Sequence, residues 1–161
     1  MPNHVKPIPE GYHSISPSLT CRNASKAIDF YKRAFGAKEI MRNTIDGGKI
    51  SHAEVKIGDS IVFLNDELPG MAAAPANSSD PGFYLFLYVS DVDSVFQSAV
   101  AAGAHEEMRL QNMFWGDRYG KLVDPFGHHW GIATHVEDVS PDELKRRMES
   151  AYAAKATAGR T

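Results

Sequence analysis

Residues 14–21 alternate along the chain, with Ile15, Pro17, Leu19 and Cys21 on one side and Ser14, Ser16, Ser18 and Thr20 on the other. A period of two is the pattern of a strand with one packed face. The period then changes. From Asn23, a side chain suited to capping a helix, Ala27, Ile28, Tyr31, Ala34 and Phe35 recur at helical spacing, and Gly36 stands where a helix commonly ends. Three strand-like segments follow, near 38–44, 49–57 and 60–65, divided by Asp46-Gly47-Gly48 and Gly58-Asp59.

The order then repeats. Tyr84 to Val89 alternates aromatic and aliphatic residues, and 92–102 reads as a helix burying Val95, Phe96, Ala99 and Val100, closed by Gly103. Strands are expected near 105–112, 117–123 and 128–134. The helix ends also match: Ala34-Phe35-Gly36-Ala37 is echoed 67 residues later by Ala101-Ala102-Gly103-Ala104. Two copies at that spacing describe a duplicated unit and not a solenoid. The chain therefore divides into an extension (1–13), a first βαβββ module (14–65), a linker (66–82), a second module (83–136) and a C-terminal helix with tail (137–161). Ser140-Pro141-Asp142-Glu143 has the residue types of a helix start. With only Leu144 and Met148 as an apolar stripe, that helix should pack on the outside, and residues 153–161 should fray.

Composition narrows the partners. A net charge of −3 from 17 basic and 20 acidic residues, without a block of like charge, argues against nucleic acid or an anionic membrane. No apolar run has the length of a membrane span, and residues 1–10, with three prolines, lack the apolar core of a signal peptide. The single cysteine, Cys21, excludes an internal disulfide. These points lead us to expect a cytoplasmic protein. Cys21 has no adjacent basic pair, so a nucleophilic role is not expected.

Several short segments add a resemblance. Ala27-Ile28-Asp29-Phe30-Tyr31 with Phe35-Gly36-Ala37, His52-Ala53-Glu54, Phe114-Trp115-Gly116-Asp117-Arg118-Tyr119-Gly120 and Asp124-Pro125-Phe126-Gly127-His128 together resemble the vicinal-oxygen-chelate (glyoxalase/bleomycin resistance protein/dioxygenase) superfamily, PhnB-like branch. The resemblance covers about residues 14–136. It implies an α+β fold in which two βαβββ modules form a cupped pocket from curved mixed sheets, usually in a homodimer. Taken as residues alone, Asp-Pro-Phe-Gly has the chemistry of a tight turn, and Phe30, Tyr31 and Phe35 are expected in the core.

Within that architecture, strand parity assigns the cup-facing residues. Ser14, Ser16, Ser18 and Thr20 point inward from the first strand, and His52, Glu54 and Lys56 are left on the cup side of a strand that buries Ala53, Val55 and Ile57. Tyr84, Phe86 and Tyr88 line the fifth strand. Aligning the halves on Gly58-Asp59 and Phe126-Gly127 pairs Phe63 with Gly131 and Ile61 with His129. Trp115 could stack on a ligand and Arg118 could pair with an anionic group; alternatively, both serve the hairpin itself. The expected ligand contacts are His52, Glu54, Phe63, Tyr84, Phe86, Tyr88, Trp115, Arg118 and His129, with Glu54 the candidate catalytic group. His128 is expected beside His129 near the rim, and His4, His13, His105 and His135 at the surface.

The resemblance also implies where a metal would bind. Its ligand positions fall here on Ser16, Phe63, Tyr84 and Gly131, which lack the imidazole or carboxylate that a divalent ion wants. No cofactor is therefore expected. A displaced site built from His52, Glu54 and His129 is the alternative. Three functions follow: a metal-independent protein that binds a small hydrophobic or aromatic compound; a metal-dependent lyase, isomerase or dioxygenase of the glyoxalase type; or a dimeric domain with a vestigial pocket.

Overall fold

A computed structural model describes residues 5–76 and 82–158. His4, residues 77–81 of the linker and the tail beyond 158 lie outside the described residues. The first module comprises β1 (Ser18–Cys21), α1 (Ala24–Phe35), β2 (Lys38–Thr44), β3 (Ile50–Ile57) and β4 (Ser60–Asp66), with a 3₁₀ turn at Asp46–Gly48. The second comprises β5 (Leu85–Tyr88), α2 (Val92–Ala101), β6 (His105–Asn112), β7 (Asp117–Val123) and β8 (His129–His135), followed by α3 (Pro141–Ala158). Each module forms a four-stranded mixed sheet, in the orders β1-β4-β3-β2 and β5-β8-β7-β6. This is the duplicated α+β architecture expected from the sequence.

Local chemistry accounts for the element ends. The Asn23 side chain accepts from Lys26 N–H at 3.0 Å, satisfying a donor that the first helical turn leaves free. At the other end Gly36 takes φ 64°, and Ala37 N–H reaches back to Tyr31 O. The second helix begins in the same way, with Asp91 accepting from Ser94 N–H at 3.1 Å.

Three expectations change. The first strand begins at Ser18, because Pro17 has no N–H to donate; its carbonyl accepts from Phe63 N–H at 2.8 Å, and Ile15 is exposed. On α2, Val92 is buried with Phe96 and Ala99, whereas Val100 is exposed. Helix α3 continues to Ala158, and its Arg147 pairs with Glu137 at 2.7 Å and with Glu143 at 2.7 Å.

The modules meet through their helices. Helix α1 packs on α2, and its aromatic face reaches the second sheet. Phe35 and Trp130 have ring centroids 4.7 Å apart, and Phe30 and Phe126 6.2 Å. Asp124, in the turn before β8, is buried at this junction. It accepts from Tyr31 Oη at 2.6 Å, Trp130 Nε1 at 2.9 Å, Phe126 N at 2.9 Å and His128 N at 3.0 Å. Four donors around one carboxylate offset the cost of burying it. The Asp-Pro-Phe-Gly segment is thus the turn its residue types promised, and it also locks the two modules together. Asp66 acts likewise at the end of β4, accepting from Ala24 N and Ile50 N at 2.9 and 2.7 Å.

Candidate functional site

Strand parity puts His52, Glu54, Phe63, Tyr84, Phe86 and Tyr88 on the helix-free faces of the two sheets, where they form two separate groups. On the first sheet, β3 presents His52 and Glu54, and β4 presents Phe63 across from Glu54. His52 Nε2 lies 3.0 Å from a Glu54 oxygen, and the His52 and Phe63 rings are 5.2 Å apart. Unexpectedly, Glu54 is only 7% exposed. The N-terminal extension covers it, and Tyr12 donates its hydroxyl to the Glu54 carboxylate. Burial pushes the Glu54 carboxyl up, but the hydrogen bonds from Tyr12 and His52 outweigh burial and hold it below the usual carboxylate range.

On the second sheet, Tyr84, just before β5, and Phe86 and Tyr88 on it stand in a row, each more than two-fifths exposed. Phe86 stacks on Tyr119 of β7, with centroids 5.3 Å apart and planes 6° from parallel. Trp115 closes one end, 5.8 Å from Tyr119. Lys121 Nζ sits 4.5 Å above the Tyr84 ring, a cation–π contact. These side chains, with Met108, Met113 and the α3 residues Ala151 and Tyr152, line a groove of about 690 Å³. Helix α3 therefore borders the groove with Tyr152.

A polar node holds the rim. Asp117, 2% exposed, accepts from Tyr88 Oη at 2.9 Å and Trp115 Nε1 at 3.0 Å, and pairs with His135 Nδ1 at 2.9 Å. His135 Nε2 in turn meets Asp138 at 2.9 Å. Asp138 first and Asp117 second raise the His135 pKa above its ordinary value. His135 is thus part of the rim and not an isolated surface residue.

Two predicted contacts lie elsewhere. Arg118 alternates with Tyr119 and reaches the start of α2, where its Nε and Nη2 bind Asp93 at 2.7 and 2.6 Å. It serves the hairpin and helix. His129 pairs with Glu107 of β6 at 3.0 Å and does not join His52 and Glu54; among the described residues, no three acidic, histidine or cysteine side chains are grouped as a metal would need. His128 is buried, with Nε2 3.1 Å from Thr20 O, so it belongs to the junction and not to the rim. Cys21 is also buried there, and burial, followed by Asp124 and Asp66, pushes its thiol up to about 12.

The register explains what sequence alignment missed. Ser18 pairs with Phe63 and Phe86 with Gly131, so the alignment of the two halves holds for those strands. Across the following hairpins, however, Glu54 faces Phe63 while Lys121 faces Gly131. The longer second turn shifts β7 by one residue and turns Tyr119 and Lys121 inward. Gly131 is itself covered by rings: a Cβ there would lie 2.8 Å from Tyr119 Cε2 and 3.0 Å from Tyr84 Cε2.

The relatives agree with this architecture. Residues 11–132 match the family model described as Glyoxalase/Bleomycin resistance protein/Dioxygenase superfamily. The uncharacterized protein Rv0887c of Mycobacterium tuberculosis is 40% identical over 141 residues, covering 85% of this chain and 83% of its own. Among solved structures, TioX from Micromonospora sp. ML1 superposes with a TM-score of 0.61 at 28% identity, over 77% of this chain and 99% of its own. The PhnB protein from Bacillus cereus shares the fold, with a TM-score of 0.60 at 18% identity, over 76% and 99% of the two chains. The chain belongs to the glyoxalase/bleomycin resistance protein/dioxygenase superfamily, with a PhnB protein among its structural neighbours.

Proposed function

We propose that this protein captures a small aromatic compound in the groove of the second sheet, without the superfamily's metal. The observation that carries the reading is the set of five rings, Tyr84, Phe86, Tyr88, Trp115 and Tyr119, around a groove of ligand size. Rings left exposed along one strand offer flat apolar surface with little side-chain entropy to lose on binding. Lys121, the Tyr hydroxyls and Asp117 supply the few polar groups that orient a ligand.

The chemistry at the superfamily's ligand positions supports metal-independent capture. Ser16, Phe63 and Tyr84 do not form a donor set for a divalent ion, and the space at Gly131 is taken by Tyr119 and Tyr84. In the same reading the protein is a cytoplasmic homodimer whose subunits narrow the open sides of the groove. Light scattering tests that arrangement.

Tryptophan emission tests ligand capture directly. Trp130 is buried in the core, while Trp115 lines the groove. Titration with 2-methoxynaphthalene should quench emission equally with and without EDTA, and Trp115→Phe should remove the response. Phe86→Ala should weaken binding about tenfold, a cost on the scale of a buried aromatic contact. Stoichiometric zinc, manganese, nickel or iron in untagged protein, lost in His52→Ala, would instead support the metal-dependent enzyme. Absence of any ligand response would support a vestigial pocket.

A further inference from the structure

On the reading of the second-sheet groove as an aromatic site, we propose that the groove selects aromatic monoanions, flat acids of the naphthoate class, and that Lys121 sets this preference. Two charged side chains line the groove, Asp117 and Lys121. They stand at opposite ends of the row of rings: Asp117 is bonded to Tyr88 and Trp115, and the Lys121 ammonium lies over Tyr84. Asp117 is already satisfied, since it is buried and pairs also with His135 at 2.9 Å. Lys121 is half-buried and has no such partner. Across the strands it faces Met108 of β6 and Gly131 of β8, neither of which carries a counter-charge. Glu107, beside Met108 on β6, is held by His129 at 3.0 Å. Among the described residues, the one charge contact of Lys121 is the Tyr84 ring.

An ammonium set against rings has given up part of its water for a quadrupole alone. It carries three N–H donors, and the ring takes only one side of it, so donors remain for an acceptor that a ligand brings. One positive charge is balanced by one negative charge. A carboxylate on a flat ring system supplies it at the Tyr84 end and lays its rings along Phe86 toward Trp115. Centroid spacings of 6.4 Å from Tyr84 to Phe86 and 4.9 Å from Phe86 to Tyr88 give the row the length of a bicyclic ring with its acid group. A phosphate dianion would leave a charge uncompensated among aromatic side chains, and a cationic ligand would be repelled by Lys121. Tyr119 adds no charge of its own: burial, and then its hydrogen bond with Tyr84, push its pKa up, so it stays a neutral phenol.

Calorimetric titration at neutral pH with 2-naphthoate, its methyl ester and 2-naphthylmethylamine tests the proposal, with Trp115 quenching as the marker of binding in the groove. The acid should bind the natural chain about tenfold more tightly than the ester, the difference of one hydrogen-bonded charge pair, and the amine should bind most weakly. Lys121→Gln should bring the acid down to the affinity of the ester while leaving the ester nearly unchanged, and Lys121→Arg should keep the preference. Added salt should weaken the acid and not the ester, a measurement on the natural chain that decides the matter should Lys121→Gln fail to fold. An ester that quenches Trp115 and binds as tightly as the acid, or a preference for the acid that survives in Lys121→Gln, would overturn the proposal and leave the groove an aromatic site. Failure of all three compounds to bind would overturn that reading and this proposal together.

Discussion

Tyr31 of the first module donates its hydroxyl to Asp124 of the second at 2.6 Å, within a wholly buried contact. The bond joins the first helix to the turn before the last strand, so it ties the duplicated halves together. Tyr31→Phe leaves Asp124 with three donors and should cost about 1.5 kcal/mol, the scale of a hydrogen bond to a charged group. Asp124→Ala strands the Tyr31 hydroxyl, the Trp130 indole and two backbone N–H groups, and should cost about 3 kcal/mol or more. Urea unfolding checks both through the transition midpoint.

Cys21 lies beside that junction, with its thiol pushed up to about 12 by burial, Asp124 and Asp66. At pH 8 the native protein should therefore react with a thiol reagent only as fast as it opens. Reaction in the mixing time, without loss of structure, would contradict the assignment.

The two histidines His135 and His128 should tilt stability in opposite directions. The raised pKa of His135 reflects its pairs with Asp138 and Asp117. Its contribution is complete below about pH 6.5, the ordinary value, and fades as pH rises through the folded value. His128 is lowered, chiefly by burial against the opposing pull of Asp124. The unfolded chain therefore takes up its proton first, and stability falls as pH drops below about 6.5. Thermal midpoints across this range should show His135→Gln losing most at acid pH, and His128→Gln flattening the acid decline.

Two glycines should separate packing from binding. At Gly120 a Cβ would lie 2.9 Å from Phe96 Cε2 and 3.0 Å from Met108 O, so Gly120→Ala should destabilise by about 1–3 kcal/mol through overpacking. At Gly131 the obstacles are the Tyr119 and Tyr84 rings at the groove. Gly131→Ala should leave the melting midpoint nearer the natural value while weakening aromatic ligands, read by Trp115 quenching.

Much of the fold was legible because hydrophobic period reports which face of an element is packed. The change from two at Leu19 and Cys21 to helical spacing at Ala27, Ile28 and Tyr31 marked β1 and α1, and Asn23 and Gly36 marked the helix ends. Parity also placed His52, Glu54, Phe63, Tyr84, Phe86 and Tyr88 on the correct faces of their strands. It could not reveal that Tyr12 covers Glu54, since a coil segment has no period.

The sequence alone determined two βαβββ units, most of their core positions and a family with a pocketed fold. Only the tertiary structure decided how those faces combine: helix-to-helix packing leaves His52 and Glu54 with Tyr12 on one sheet, and the five rings on the other. It also decided that Arg118 binds Asp93, and that a one-residue shift in hairpin register brings Tyr119 and Lys121 to the groove. The physical reason is that side-chain alternation is a property of one strand. Register, and the choice of which element covers a face, depend on contacts between residues far apart in the chain.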